Sequence, residues 1–199
     1  MDGTSANAQT RGPYAAGEAD AYWEPLWQSR HRYRSLNTAE RETLHRQVGA
    51  GRGRPALDIG SGDGTLVQAL AEQGFRPTGI DCAPSALSAA RHRYPTLDFR
   101  QFDIDTGDLS QLPEPAFELI TCRLVYRWVP DKYAFLSRVR QLLAPDGTFW
   151  VATSVRSSQG GEARPWEIDG EESELLTFGW SRAEVIRLDD TYRCFSLRP

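Results

Sequence analysis

Cysteine, lysine and long apolar runs are all scarce in this chain of 199 residues. Its three cysteines are an odd number without CxxC spacing, which argues against a disulfide framework and a zinc site, and we expect no metal. No apolar run approaches the roughly 18 residues of a membrane helix. The N-terminus lacks the basic and then apolar pattern of a secretion signal. We therefore expect a cytoplasmic protein with no membrane partner.

Basic side chains are not in excess either. The chain has 23 basic and 27 acidic residues and a net charge of −4, and no basic patch interleaved with aromatic residues is long enough for an RNA track. Because polyphosphate binding depends on clustered positive charge, this composition argues against a nucleic-acid partner. Apolar residues make up 40% of the chain, which is ordinary for one globular domain of this length.

Short apolar runs alternate with amphipathic stretches of helical length from Pro55 onward. Strands separated by helix-sized crossovers form a parallel sheet with helices on both faces. The final stretch, AEVIRLDDTYRCFSLRP, reads as two strands about a turn at Asp189 and Asp190. The pattern predicts an α/β fold with a doubly wound, mostly parallel seven-stranded sheet and one antiparallel strand in a C-terminal hairpin. The five predicted parallel strands are ALDIG, RPTGID, LDFRQFDI, AFELITCRLV and TFWVATS.

For the segments outside this alternation of strands and helices, the predictions depend on composition. Residues 1–20 are small, polar and aperiodic, which predicts a flexible tail. Residues 21–199 are predicted to form a single domain, with N-terminal lid helices in 21–54 and a Rossmann-like core in 55–199. Asn37 or Thr38 is a suitable cap for a helix that ends near Val48. The stretch SSQGGEARPWEIDGEE, residues 157–172, reads as a loop.

The stretch ALDIGSGDGTL combines one acid, Asp58, with glycines at every second position. Glycines between a strand and a helix let the backbone turn sharply and let a ligand approach closely. The dinucleotide fingerprint GxGxxG needs a third glycine where Thr65 stands, so the pattern fits NAD poorly. A carboxylate at the end of a central strand suits a ligand with a positive or hydrogen-bond-donating group.

This motif resembles that of the class I S-adenosylmethionine-dependent methyltransferases, in which an acid within an apolar run precedes GxGxG. Two further acids follow in register, Asp81 at the end of the second predicted strand and Asp103 at the end of the third. The resemblance implies S-adenosylmethionine as cofactor and S-adenosylhomocysteine as product. It also implies that Asp81 accepts from both ribose hydroxyls and that Asp103, with the amide of Ile104, faces the adenine.

Each acid also has a plain structural interpretation. Asp58 and Asp81 would cap the helices that follow them, and Asp103 would belong to a solvated acidic loop with Asp105 and Asp108. In relatives, a segment before the glycine motif closes over the methionine end of the cofactor. The cofactor-binding residues that the resemblance implies are Tyr22, Trp23, Arg32, Asp58, Gly60, Ser61, Gly62, Asp81, Cys82, Asp103, Ile104, Cys122 and Arg123.

The acceptor pocket of this family opens after the fourth strand, where the chain reads YRWVPD. We name Tyr126 and Arg127 as candidates for positioning the acceptor, with Arg127 holding an anionic group of the acceptor against an aromatic wall. The alternative is a surface arginine beside a core tryptophan. His31 is a candidate proton acceptor, with a plain helix-surface role as the alternative.

The stretch after the fourth strand lacks the [ND]PP[YF] motif of enzymes that methylate nucleic-acid amino groups. It also lacks the Pro-Cys pair of the cytosine enzymes. We therefore expect methyl transfer to nitrogen or oxygen of a small-molecule acceptor, with the biosynthesis of a specialised metabolite as one setting, by a monomer or homodimer. The alternatives are a non-catalytic S-adenosylmethionine-binding module or partner subunit and, less favoured, an NAD-dependent oxidoreductase.

Overall fold

The computed structural model describes residues 13–29, 33–156 and 164–199. Within these ranges the helices are α1 (Ala19–Gln28), α2 (Thr38–Val48), α3 (Thr65–Glu72), α4 (Pro84–Arg93), α5 (Lys132–Leu142) and α6 (Gly170–Thr177). The strands are β1 (Pro55–Ile59), β2 (Arg76–Asp81), β3 (Asp98–Gln101), β4 (Phe117–Arg123), β5 (Leu143–Val155), β6 (Glu167–Ile168), β7 (Arg182–Arg187) and β8 (Tyr192–Arg198). Two short 3-10 turns span Leu109–Gln111 and Tyr126–Trp128.

Seven of these strands form one continuous sheet in the order β3-β2-β1-β4-β5-β8-β7. β1 to β5 pair in parallel, whereas β8 is antiparallel to both β5 and β7. The predicted fold class is confirmed, including the antiparallel strand of the C-terminal hairpin. The two-residue strand β6, which pairs with β5, adds an eighth strand that the sequence pattern did not predict.

Neighbouring residues of the central strands face opposite cores. Leu57 and Ile120 pack in the core that α5 and α6 cover. Ala56 and Leu119 pack in the core that α2 and α3 cover. Because successive side chains of a strand point to opposite faces, a strand buried on both faces reads as a continuous apolar run. The helices on both faces therefore explain why the central strands β1 and β4 are buried along most of their length.

The order of the strands determines where a ligand binds. β1 lies between β2 and β4 and is parallel to both. The chain runs from β1 outward to β2 and β3, and then returns to β4 on the other side. In open α/β sheets, ligands bind outside the carboxyl ends of the strands at such a reversal. At this edge β1 ends at Ile59, β2 at Asp81 and β4 at Arg123.

Three local differences separate the structure from the sequence-based prediction. Helix α1 begins at Ala19, two residues before the predicted domain boundary, and Ala19 is buried. Strand β5 begins at Leu143, five residues before the predicted strand TFWVATS, and its pairing with β4 shifts register between these two points. The stretch 157–172 was predicted to be a loop, yet β6 and the start of α6 lie in its described part; Asp169 and Glu172 form a capping box there.

None of the six helices in the described ranges has the length and apolar character that a membrane crossing requires.

Candidate active site

The glycine loop that follows β1 is held in a conformation that only glycine adopts easily. Gly60 and Gly62 have φ angles of +68° and +53°, where a side chain is strained. A Cβ on Gly60 would lie 2.3 Å from Cγ2 of Val125. The amides of Gly60 and Ser61 both donate to the carbonyl of Ile80 at 2.9 Å, so the loop is attached to the end of β2.

Asp81 is the residue through which β2 contacts this loop. Its carboxylate accepts from the amides of Gly62 and Ala83, each at 2.9 Å. Burial raises the pKa of Asp81 above its usual value although both amides act to lower it. Because a carboxylate has about four acceptor positions, Asp81 retains the capacity to accept further hydrogen bonds from a ligand.

Asp58 lies on β1 directly before the loop and is only 2% exposed. It accepts from the hydroxyl of Thr121 at 2.7 Å. Burial raises the pKa of Asp58 to about 7, and the charge of Asp81 adds to this effect, while Thr121 and Arg123 oppose it. The two carboxyls therefore interact electrostatically. A cation placed between them would favour their ionised forms.

Asp103 follows β3 and shapes the adjacent loop. Its carboxylate accepts from the amide of Asp105 and the hydroxyl of Thr106, both at 2.8 Å. Ile104 is buried beside it. Cys82, at the end of β2, is partly buried, and burial raises the pKa of its thiol, with Asp81 and Asp103 adding to the effect. Asp103 thus lies one strand further from β1 than Asp81 and borders Cys82.

Six aromatic side chains lie above and beside these acids. We call Tyr14, Tyr22, Trp23, Trp27, Tyr33 and Trp128 the aromatic cluster. A Cβ on Gly62 would lie 3.0 Å from the ring of Trp27, so α1 covers the glycine loop. Burial raises the pKa of Tyr33 to about 12, and the neighbouring charge of Asp81 adds to this effect. The aromatic cluster therefore reaches the glycine loop through Trp27 and Asp81 through Tyr33.

Helix α1 is attached to α4 by one carboxylate. Glu24 accepts from the amide of Ser85 at 2.9 Å and from its hydroxyl at 2.5 Å. These hydrogen bonds lower the pKa of Glu24 below its usual value. Ser85 lies in the first turn of α4, where unpaired amides and the helix dipole favour a negative charge. Glu24 thus helps to hold α1 beside the glycine loop, over which Trp27 lies.

The residues after β4 are bonded to α6 and to the segment before it. Tyr126 is fully buried and donates to the carbonyl of Glu172 at 3.3 Å. Arg127 donates to the carbonyl of Pro165 at 2.8 Å and to the carboxylate of Glu172 at 3.3 Å. Lys132 also pairs with Glu172, at 2.8 Å. Tyr126 and Arg127, which were predicted to hold the acceptor, therefore connect the turn after β4 to α6 and to the segment before it.

Strand β4 ends with Cys122 and Arg123, and the protein largely encloses both side chains. Arg123 donates to both carboxylate oxygens of Glu40, at 3.1 and 3.2 Å, and to the carbonyl of Arg34 at 2.9 Å. Cys122 is completely buried in the core. Arg123 thus joins β4 to α2 and to the segment before it, and its charge acts to lower the pKa of Asp58.

The structure brings together Asp58, Gly60, Ser61, Gly62 and Asp81, with Cys82, Asp103 and Ile104 on the adjoining strand end and Tyr22 and Trp23 in the aromatic cluster above. Two predicted residues, His31 and Arg32, lie outside the described residues. Sequence reasoning did not name Tyr14, Glu24, Trp27 and Tyr33, which the structure places beside these predicted residues. The available signal was the density of aromatic residues in AYWEPLWQSRHRY.

A glycine loop at the reversal point of a parallel sheet, with acids at adjacent strand ends, defines an α/β protein whose site suits a nucleoside-type cofactor. A family model described as a methyltransferase domain matches residues 57–149. The ubiquinone biosynthesis O-methyltransferase of Paramagnetospirillum magneticum is 31% identical over 179 residues, which cover 81% of this chain and 67% of that protein. The chain belongs to the class I S-adenosylmethionine-dependent methyltransferases.

Other proteins that are similar to this chain are also named methyltransferases. The ubiquinone biosynthesis O-methyltransferase of Actinobacillus pleuropneumoniae is 31% identical over 128 residues, covering 61% of this chain and 55% of that protein. The glycopeptide N-methyltransferase MtfA, solved with S-adenosylmethionine, shares the fold with a TM-score of 0.66 at 14% identity, covering 84% of this chain and 96% of that one. Alignments with the first curated relatives span 55% to 62% of their length.

Proposed function

We propose that this chain transfers a methyl group from S-adenosylmethionine to an oxygen atom of a small-molecule acceptor. The observation that carries the proposal is the buried pair Asp58 and Asp81 beside the glycine loop. Burial raises the pKa of each carboxyl, so a cation bound beside Asp58 would favour its ionised form. The cofactor supplies a methyl group that its sulfonium already activates.

The residues present fit this cofactor. Asp81, with acceptor capacity remaining on both oxygens, would receive the two ribose hydroxyls. Asp58 would face the positively charged methionine end, where its ionised form is favoured. Asp103 and the amide of Ile104 would face the adenine. Gly60 and Gly62 lack the Cβ atoms that would meet Val125 and the ring of Trp27, so the glycine loop packs closely against these two side chains.

The chain contributes alignment and exclusion of water more than acid or base chemistry. Trp27 over Gly62 and the bond of Glu24 to Ser85 hold α1 across the crevice. A closed site of this kind orients the reacting atoms and removes competing water. The choice of oxygen over nitrogen is supported by the curated relatives, which are named O-methyltransferases.

The proposal is tested by isothermal titration of the full chain with S-adenosylmethionine, S-adenosylhomocysteine and NAD. We expect both sulfur compounds to bind and NAD not to bind. Asp81→Asn removes a charged acceptor, for which losses of roughly 1.5–3 kcal/mol are typical, so cofactor affinity should fall at least about tenfold. The matched control is Asp146→Asn, an exposed acid in β5. Binding of NAD alone, or an unchanged affinity in Asp81→Asn, would overturn the proposal.

A further inference from the structure

A cavity of about 190 Å³ lies between the end of α2 and the two strands of the C-terminal hairpin. A water molecule takes up about 30 Å³ in the liquid, so the cavity has room for a small ligand. Three of its six lining side chains are arginines and one is a carboxylate. The lining residues are Arg46, Gln47, Arg182, Glu184, Ser196 and Arg198.

The cavity is separate from the crevice that the glycine loop borders. Strands β4, β5 and β8 lie between β1 and β7. Because neighbouring strands lie about 4.8 Å apart, β7 is about 19 Å from β1. Ser196 and Arg198 lie on the same face of β8 as Cys194, which packs in the core that α2 and α3 cover. The cavity therefore belongs to the outer part of the sheet, on the α2 side.

Two of the arginines face each other across the hairpin. Arg182 of β7 lies directly opposite Arg198 of β8, and like charges in such a pair destabilise a sheet. No ion pair among the described residues includes Arg46, Arg182 or Arg198. Arg46 donates to the hydroxyl of Thr43 at 3.2 Å and Arg198 to the carbonyl of Gln47 at 3.4 Å. Both acceptors are neutral, so these contacts leave the positive charge uncompensated.

A second arginine pair in the same hairpin is compensated by acidic residues. Arg187 lies opposite Arg193, but Arg187 forms an ion pair with Asp190. Both arginines also donate to the carbonyl of Asp189. The pair formed by Arg182 and Arg198 has no such partner in the described part of the chain. An anion from solution would supply the missing negative charge.

Gln47 adds a neutral donor to the lining of the cavity. It is only 7% exposed, and its Oε1 accepts from the indole of Trp150 at 2.8 Å. Its Nε2 has no hydrogen-bond partner within the described residues. Because an unpaired buried donor costs free energy, an acceptor oxygen from a ligand would stabilise this side chain. The protein encloses Nε2, so this contact requires a neighbouring side chain to shift.

We propose that this cavity binds a doubly charged oxyanion, either a phosphate group or a dicarboxylate, between Arg182 and Arg198. The planar donors of a guanidinium group pair with two oxygens of such an anion at once. Arg46 adds a third positive charge. The carboxylate of Glu184 repels the anion, so removing it strengthens binding. The site is independent of the proposed function, which uses only the crevice at the glycine loop.

The test is a titration of the full chain at constant ionic strength with inorganic phosphate, malonate and acetate, followed by two-dimensional NMR. We expect phosphate or malonate to bind at least about threefold more tightly than the singly charged acetate. Tighter binding of phosphate identifies a phosphate site, and tighter binding of malonate identifies a dicarboxylate site. The signals of the Gln47 carboxamide and the Trp150 indole should shift, whereas the amide signals of Gly60 and Gly62 should not. Equal affinity for all three anions, or shifts confined to the glycine loop, would overturn the inference.

Two exposed residues of β7 test the electrostatics of the cavity with opposite signs. Arg182→Gln should weaken the tighter anion at least about threefold, whereas Glu184→Gln should strengthen its binding. The control is Arg76→Gln, which removes the same charge from an exposed position at the start of β2 and should leave the affinity unchanged. If Arg182→Gln binds the anion as well as the unchanged chain does, or if Arg76→Gln weakens it equally, the inference is wrong.

Urea unfolding provides a second measurement. In a chloride buffer, Arg182→Gln should be at least as stable as the unchanged chain, because it removes one of two like charges. Adding the tighter anion should then raise the unfolding midpoint of the unchanged chain more than that of the variant, since only a folded site binds it. An equal rise in both proteins would show a general salt effect and contradict the proposed site.

Discussion

The amide of Gly62 donates to the carboxylate of Asp81 across 2.9 Å, joining the glycine loop after β1 to the end of β2. The same carboxylate also accepts from Ala83 at the start of the next turn. A single buried side chain thus sets the position of both backbone segments around the crevice. The geometry of the loop therefore depends on the charge state of the acids beside it.

Cofactor binding should strengthen as pH rises through the pKa of Asp58, about 7. Below that pH the carboxyl is protonated in the empty site, and a cationic ligand must displace the proton. Between pH 6 and 7, titration in two buffers of different ionisation enthalpy should reveal proton release on binding of S-adenosylmethionine. The groups that face Asp58 are Thr121, Arg123 and Asp81. The Asp58→Asn variant should lose the proton release, and its retention would refute the assignment.

The carboxyl of Asp58 should also affect the stability of the ligand-free protein, but this contribution should fall as pH rises. The pKa of Asp58 is raised in the folded state, so its contribution to stability is greatest below its unfolded pKa, near 3.8, and is lost as pH rises towards about 7. Asp58→Asn should therefore be more stable than the unchanged chain at pH 8, and this difference should shrink as pH falls towards 4. Urea unfolding at the two pH values measures it. A variant that is less stable at pH 8 would contradict the prediction.

Gly60 should tolerate alanine much less well than another glycine with the same backbone conformation. Gly60 and Gly53 both have positive φ, so alanine at either site costs about 1–2 kcal/mol of strain. A Cβ at Gly60 also meets Val125 at 2.3 Å, whereas nothing lies within 4 Å at Gly53. Urea unfolding should show a larger loss for Gly60→Ala than for Gly53→Ala, with part of it recovered by Val125→Ala. If Gly60→Ala and Gly53→Ala lose the same free energy of unfolding, the loop has space for a side chain at Gly60.

Removing the carboxylate of Glu24 should release helix α1 from α4. Glu24→Gln weakens the bonds to Ser85, so we expect faster dissociation of S-adenosylhomocysteine, measured by stopped-flow tryptophan fluorescence. Ser85→Ala should have a similar effect, and the double variant should be little worse than either single one. Glu42→Gln, an exposed glutamate of α2, provides the control. Additive effects of the two substitutions would show that Glu24 and Ser85 act independently.

Glu172 should be a strong determinant of stability. Its buried carboxylate pairs with both Arg127 and Lys132, and its loss leaves two cations with one fewer partner. Glu172→Gln should lower the free energy of unfolding by about 3 kcal/mol, the low end of the range for breaking a buried pair. The matched control is its exposed neighbour, Glu171→Gln. If both variants unfold at the same urea concentration, the pairing contributes nothing to the fold.

Local signals in the chain predicted the elements that carry the glycine loop and the strand-end acids of the candidate site. The apolar run before Gly60 and the acids at the ends of the second and third strands act over a few residues, so their placement follows from strand period and turn chemistry. Helix α6 was missed although its capping box, Asp169 and Glu172, stands in the sequence. The glycines and polar residues before it resembled a loop, and no strong apolar stripe outweighed them.

By itself, the sequence determined the class of fold, the glycine loop and the strand-end acids, because apolar periodicity and the φ requirements of glycine operate between near neighbours. Only the tertiary structure decided which side chains share the site. Arg123 meets Glu40 and Arg127 meets Glu172 across long stretches of chain, and such pairings exist only once the strands and helices have packed. The same packing brings Trp23 of the N-terminal helix against Trp128 of the post-β4 turn, a contact that no local pattern encodes.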